Sequence, residues 1–319
     1  MPNPLVSVII PIHNHAAFAI ETVASVLAQT YANLQVIIVD DGSTDDGSLR
    51  VSQHFGDRVH LIRQPNNGPS AAVNAGLAVA RGDYIALLGG DDVCEQERIA
   101  HQVSILQSTV HDIIFAPPTM IDADGAVLPD ADFPALYQKV EVNGPLLFRK
   151  LFIEGNFLCA PSAMMRRSVL NTIGNFHNGL IALQDYEYWL RAASRGLSLA
   201  SFNHRVVRYR RHGGGLSTSL PGQVTQTECA YIMNRTLDNA MPSIVRAAFP
   251  HVLPPTLNVD ARLTLFEKAL LLLSHPVHDV KQAGVRCAID LLEAPEERKT
   301  IVGQNVNLFR MLFNATSGH

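Results

Sequence analysis

Two acidic clusters in the first hundred residues define the chemistry open to this sequence. The first, Asp40-Asp41-Gly42-Ser43-Thr44-Asp45-Asp46, sets carboxylates and hydroxyls directly after the apolar run Gln35 to Val39. A carboxylate fixed there can accept a hydrogen bond from the imide N–H of a nucleobase, and Asp45 or Asp46 can cap a following helix. An EF-hand is excluded, because that pattern wants glycine where Asp46 stands and glutamate where Ser52 stands. The second cluster is Gly89-Gly90-Asp91-Asp92, two adjacent acids behind two residues without bulk. Hard oxygen ligands on such a loop suit magnesium or manganese, ions that keep waters and take further ligands from substrate phosphates. Phosphate-loop, dinucleotide-binding, zincin and nucleophile-elbow motifs are missing. Phosphate handling is therefore expected to run through a metal and carboxylates.

Both clusters need a scaffold that brings them together. Short β-branched runs alternate with segments of helical period over the first hundred residues, the pattern of successive βα units on a parallel sheet. Strands are expected at Leu5 to Ile10, Gln35 to Asp40, Val59 to Arg63 and Tyr84 to Leu88. Each acidic cluster then falls at the carboxyl end of a strand, the edge at which open α/β sheets bind ligands. Phe18, Ile20, Val23, Val26, Leu27 and Tyr31 recur at helical steps and give the first helix an apolar face. The helix expected from Pro69 to Arg81 is rich in alanine and glycine, which lets it lie close to the sheet.

Farther along, strand-like runs at Ile113 to Ala116 and Val206 to Arg210 mix with helical period at Ser168 to Ile173 and Tyr186 to Arg195. Asp124-Gly125 reads as a hairpin turn. After Gly213 to Gly215 the sequence becomes helix-rich with proline breaks, so a boundary is placed near residue 216: a domain over 1–215 and a carboxy-terminal helical region over 216–319. The run Leu263 to Leu273 contains Glu267 and Lys268 and is too short to span a bilayer; it is expected to be a buried helix, although it also fits a peripheral membrane contact.

The chain has 319 residues, 47% of them hydrophobic, enough for one large α/β domain with an appendage. Its four cysteines form no Cys-x-x-Cys pair, which disfavours a zinc ribbon and a disulfide framework. The net charge of −4 argues against a nucleic-acid surface. The amino terminus has no signal-peptide pattern, so a cytoplasmic location is expected.

Several motifs then occur in register. Ser7-Val8-Ile9-Ile10-Pro11-Ile12-His13-Asn14, Ser25-Val26-Leu27-Ala28-Gln29-Thr30-Tyr31 and Val39-Asp40-Asp41-Gly42-Ser43-Thr44-Asp45 resemble the opening motifs of the inverting family 2 glycosyltransferases. Asn67-Gly68, Asn74-Ala75-Gly76, Gly82-Asp83-Tyr84-Ile85, Asp91-Asp92 and Gln184-Asp185-Tyr186-Glu187-Tyr188-Trp189-Leu190-Arg191 continue the resemblance in order, over residues 5 to 215.

That resemblance implies an α/β fold of the GT-A type, a mostly parallel Rossmann-like sheet flanked by helices. It implies transfer of a sugar from a nucleotide-diphosphate donor, most commonly a UDP-sugar, to a glycan or lipid-linked glycan acceptor, with Mn2+ or Mg2+ as cofactor. Bacterial cell-surface polysaccharide or lipopolysaccharide synthesis is the associated role. By matching position, Pro11, Ile12, His13, Asn14 and Asp41 line the nucleoside pocket with Asn67 nearby. Asp91 contacts ribose or metal, Asp92 and His212 the metal, and Asp185 is the general base.

Three positions depart from the family pattern: Gly89 where aspartate is common, Val73 where arginine is common, and Gln184 where glutamate is common. A neutral residue at 184 is expected to keep the pKa of Asp185 low by removing like-charge repulsion. The same departures leave a catalytically inactive nucleotide-sugar binding module as the alternative. A nucleotidyltransferase would carry a basic glycine-rich loop after the first strand, which His13-Asn14-His15-Ala16 is not. The segment Asn156 to Ser162 stands as a candidate acceptor wall or a buried strand, and Trp189 as a core residue or a sugar-stacking one.

Overall fold

The computed structural model describes residues 3–137, 144–215 and 221–293, which divide into two compact units. One comprises Met1–Asn143, Asn156–Ala192 and Leu197–Ser219; the other comprises Gly144–Gly155, Ala193–Gly196 and Leu220–His319. Two short segments that precede residue 216 thus group with the carboxy-terminal unit. Residues 216–220 and 294–319 of the expected helical region, including the break at Pro295, lie outside the described residues.

The first unit is built on strands β1 (Val6–Ile12), β2 (Leu34–Asp41), β3 (His60–Gln64), β4 (Tyr84–Leu87), β5 (Val93–Cys94), β6 (Ile113–Phe115), β7 (Thr119–Ile121), β8 (Met164–Arg166), β9 (Leu199–Ser201) and β10 (Val207–Arg210). Seven form a sheet in the order β3-β2-β1-β4-β8-β6-β9, and β5-β10-β7 form a small second sheet. β1, β2, β3 and β4 run parallel, with Ile9 paired to Ile37 on one side and Leu87 on the other. β8 enters antiparallel between β4 and β6, so the sheet is mostly rather than wholly parallel.

The β-branched runs form strands because both faces of the sheet are covered; Val6, Val8, Ile9, Ile10, Ile37 and Ile38 have no exposure above rounding. Helix α1 (Ala19–Leu27) turns Ala19, Thr22, Val23 and Val26 inward. Helix α2 (Gly47–Phe55) follows β2, and α3 (Pro69–Val79) follows β3. A Cβ at Gly76 of α3 would lie 2.5 Å from Ile9 Cγ2, so only glycine permits this close approach of helix to sheet. The turn at Gly125 (φ 89°) carries the single antiparallel bridge Ile121 to Val127 expected of a hairpin.

In the second unit, Phe148 and Phe152 of helix α5 (Pro145–Glu154) stack edgewise on Phe249, at 6.2 and 5.4 Å between ring centres. Helix Leu265–Leu273 opens on a capping box between Thr264 and Glu267, and the Glu267 carboxylate also pairs with Arg246 at 2.9 Å. Leu270, Leu271, Leu272 and Leu273 are all buried, so its apolar side is used in packing within the unit rather than offered to a membrane. No helix among the described residues is long and apolar enough to cross a bilayer.

Candidate active site

Because β1, β2 and β4 are parallel neighbours, the residues following each emerge at one edge of the sheet. At the end of β1, His13 Nδ1 donates to the Asp41 carbonyl at 2.9 Å, which leaves Nε2 as the acceptor facing the amides of Asn14 and Asn66. Asn14 has φ 56°, a left-handed conformation that asparagine tolerates better than most residues. In that position its Oδ1 accepts from the Thr44 N–H at 2.8 Å, and its own N–H donates to Ser43 Oγ at 3.0 Å. The first acidic loop is thereby tied to the first strand. Asp46 holds the N-cap position of α2 without a side-chain cap bond, and Asp45 just before it accepts from the Gly47 N–H at 3.0 Å and from the Ala16 N–H at 2.8 Å.

Asp41 is buried, and its carboxylate accepts from Gln64 Nε2 (2.7 Å), the Asn67 N–H (2.9 Å) and the Gly68 N–H (2.9 Å). Three of its roughly four acceptor positions are thus used in holding the 64–68 loop, and one remains for a ligand. Asn67 meets Asp41 through its backbone.

The second acidic loop is shaped by a long-range pairing. β5 pairs antiparallel with β10, Val207 opposite Cys94, and this brings residues 210–212 over the loop. Arg210 is buried: its Nε donates to the Asp91 carbonyl at 2.8 Å, and its terminal nitrogens reach the Ala123 carbonyl and Glu21. Two residues on, His212 Nε2 donates to Asp91 Oδ2 at 2.9 Å, and His15 Nε2 lies 4.0 Å from the same oxygen. His15, Asp91 and His212 form a group whose ligand atoms all lie within 4.8 Å of one another. Burial holds the His15 pKa below its usual value, against the opposing pull of Asp91. Two imidazoles and a carboxylate so close are a chemically suitable set for a divalent ion.

Asp92 is not in that group. Its side chain has no exposure; Oδ1 accepts from the Arg210 N–H at 2.9 Å, and Oδ2 is buried beneath Gly89 without a partner among the described residues. Burial, and then the neighbouring Asp91 charge, push its pKa well up. The geometry makes Asp92 a brace between the loop and β10. The clustered group contains His15 where the sequence pointed to Asp92; one histidine in an irregular loop carries no periodic signal.

Asp185 lies in the first turn of the helix Gln184–Ser194. Asn156 Nδ2 donates to its Oδ2 at 2.9 Å, and the Tyr186 N–H donates to its Oδ1 at 2.8 Å. Burial outweighs both hydrogen bonds and raises its pKa to about 6, a correction to the low value expected from Gln184: desolvation, not a neighbouring charge, is the dominant influence. Three residues beyond Asn156, the Cys159 thiol is pushed up to about 12, chiefly by burial and next by the charge of Asp92. The 156–159 segment therefore runs between Asp185 and the second acidic loop.

That segment is not a strand; it leads into a single 3-10 turn, Ala160–Ser162. Phe157 and Leu158 are buried, so the polar Asn156, not these apolar side chains, is what the segment contributes to the site. Trp189 has no exposure and packs edge-on against Phe115 at 4.7 Å, the core position.

A family model described as Glycosyl transferase family 2 matches residues 7–174, more than half of the chain. The chain belongs to glycosyltransferase family 2. It is 34% identical over 195 residues to an uncharacterized glycosyltransferase of Rickettsia felis, covering 59% of this chain but only 31% of that protein. It is 30% identical over 233 residues to uncharacterized glycosyltransferase RP339 of Rickettsia prowazekii, covering 71% of this chain and 70% of the relative. The first of these relatives is thus spanned over less than a third of its length. Among solved structures, S. aureus TarS (residues 1-349) in complex with UDP-GlcNAc superposes with TM-score 0.61 at 18% identity, over 89% of this chain and 83% of that one. The mannosyltransferase PcManGT from Pyrobaculum calidifontis, in complex with GDP-Man and Mn2+, gives TM-score 0.53 at 16% identity, over 98% and 86%. These likenesses establish the GT-A fold.

Proposed function

We propose that the protein transfers a sugar from a nucleotide-diphosphate donor to a hydroxyl acceptor with inversion, using a divalent metal. The observation that carries this reading is the pairing of two chemistries in one unit: an Asp-His-His ligand set at the carboxyl edge of the sheet, and a carboxyl raised to about 6 at Asp185. The bound ion would supply Lewis-acid stabilisation of the departing diphosphate through Asp91, His212 and His15. Asp185 takes the acceptor hydroxyl proton as that oxygen bonds to the anomeric carbon and the carbon–phosphate oxygen bond breaks. A base near pKa 6 is mostly ionised at neutral pH yet basic enough to receive the proton. His13, Asn14 and Asp41 shape the nucleoside side, with Pro11 and Ile12 behind them.

A uridine diphosphate sugar is the donor we favour, supported by the UDP-GlcNAc bound to TarS. The acceptor is a glycan or a lipid-linked glycan in cell-surface polysaccharide or glycolipid synthesis, consistent with the family; the enzyme works in the cytoplasm, at the inner face of the membrane. Calorimetry with UDP, GDP and dTDP, each with and without Mn2+, tests the donor side. UDP should bind best and only with the ion. Failure of all three nucleotides to bind would overturn the reading, and binding without transfer across an acceptor panel would leave a non-catalytic binding module.

A further inference from the structure

We infer that His15 is a metal ligand that stands in for the acid missing at position 89, making a two-imidazole, one-carboxylate site that selects a d-block ion over magnesium. The inference deepens the proposed function and rests on its metal-dependent donor site.

Position 89 cannot supply a ligand. A Cβ there would lie 2.4 Å from Asp92 Oδ2 and 2.8 Å from Asp91 Oδ1, so a side chain would force these carboxylates to shift, and an acid would crowd three carboxylates together. Gly90 has a different reason for its type. A Cβ at that position would lie 2.6 Å from His15 Nδ1 and 2.6 Å from the Pro11 carbonyl oxygen. The missing side chain is what allows the His15 ring to sit beside Asp91. Both glycines are therefore accounted for by the same arrangement: acids at 91 and 92, with an imidazole folded over the backbone between β1 and β4.

The separations fit shared coordination. Ligands about 2.1 Å from one ion are about 3 Å apart when adjacent and about 4.2 Å apart when opposite. Asp91 Oδ2 lies 2.9 Å from His212 Nε2 and 4.0 Å from His15 Nε2. The two rings stand nearly perpendicular, 79° between planes and 6.2 Å between centres, so neither blocks the other's approach. His15 Nδ1 is buried with no hydrogen-bond partner among the described residues, so that nitrogen gives the ring no structural anchor. Histidine nitrogen is a poor ligand for magnesium, which prefers oxygen and retains water, and a good one for manganese, iron, cobalt or zinc.

The test is a direct titration of the full chain with Co2+, read by visible absorption, and with Mn2+, read by the loss of free-ion electron paramagnetic resonance signal. Mg2+ is added as competitor. The wild type should bind one Mn2+ or Co2+, with Mg2+ at least a hundredfold weaker. His15→Ala should weaken Mn2+ roughly tenfold to a hundredfold or more and change the Co2+ band, with circular dichroism unaltered. His15→Asp, which restores an oxygen ligand, should narrow the gap between Mn2+ and Mg2+. Unchanged Mn2+ affinity and Co2+ spectrum in His15→Ala, or equal wild-type affinity for Mg2+ and Mn2+, overturns the inference. Parallel UDP titrations separate the two claims. His15-dependent metal binding without nucleotide binding sinks the functional reading alone, and metal-dependent UDP binding that ignores His15 sinks the ligand assignment alone.

Discussion

Replacing Asp185 by asparagine should abolish most catalysis and at the same time stabilise the fold at neutral pH. The carboxyl is raised to about 6 by burial, from about 3.9 in an unfolded chain, a difference of about two units or about 3 kcal/mol. The sign follows from the direction: a raised folded pKa means that the unfolded state ionises more easily, so stability is lost as pH rises from about 4 through 6. Asparagine removes that loss but keeps only one of the two acceptor oxygens now facing Asn156 and the Tyr186 N–H, at a cost of about 1 kcal/mol. The variant should therefore be more stable than wild type by about 2 kcal/mol above pH 7 and slightly less stable near pH 4. Urea unfolding of both proteins at pH 4, 5, 6, 7 and 8 measures the difference directly. Single-turnover transfer should fall about 10²- to 10⁴-fold with donor affinity preserved, and the wild-type rate should drop about tenfold per pH unit below 6. A stability difference that stays flat across this range would refute the claim that burial sets the character of Asp185, and an unchanged rate would remove it from the mechanism.

Asp92→Asn should retain Mn2+ binding within about twofold, because Asn Oδ1 can still accept from the Arg210 N–H and the side chain is not one of the clustered ligand group. Isothermal titration decides between this brace and a ligand, whose loss would abolish binding. Asp41→Asn keeps the shape but loses an acceptor for the Asn67 or Gly68 N–H, a cost of about 1–3 kcal/mol in the order of the 64–68 loop. Faster amide exchange at residues 66–68 and weaker nucleoside binding are the expected results.

How much of this was legible in the sequence depends on whether the controlling interaction is local. The expected strands agree with β1, β2, β3 and β4 to within two residues, since continuous β-branched runs buried on both faces leave few other conformations. The alanine- and glycine-rich helix was readable for the same reason: its composition states how close it must lie. β5, β7 and β8 were not read, being two or three residues long and held by partners far away, as in Cys94 with Val207. Helix α4 (Arg98–Ser108) was also missed; its buried Arg98 and Gln102 interrupt the apolar period while bonding to the carbonyls of Leu87 and Ser162. The misread pKa of Asp185 has a related origin. Gln184 is visible beside it, whereas the burial that dominates depends on the whole fold around the helix start.

The β5–β10 pairing also sets an order of assembly. β1, β2 and β3 can form from local βαβ units, and β4 then closes on β1 across 78 positions, so this part of the sheet needs only about ninety residues to have left the ribosome. Asp91 meets His212 only across a sequence separation of 121 positions, so the second acidic loop cannot take its final form until synthesis has passed that histidine. A nascent or truncated product ending before Arg210 would hold the first acidic loop on its strands but leave the second without Arg210 and His212. Nonsense products and protease fragments of this kind would carry the first acidic loop but not the His15, Asp91 and His212 group, which exists only once the chain has been made through His212.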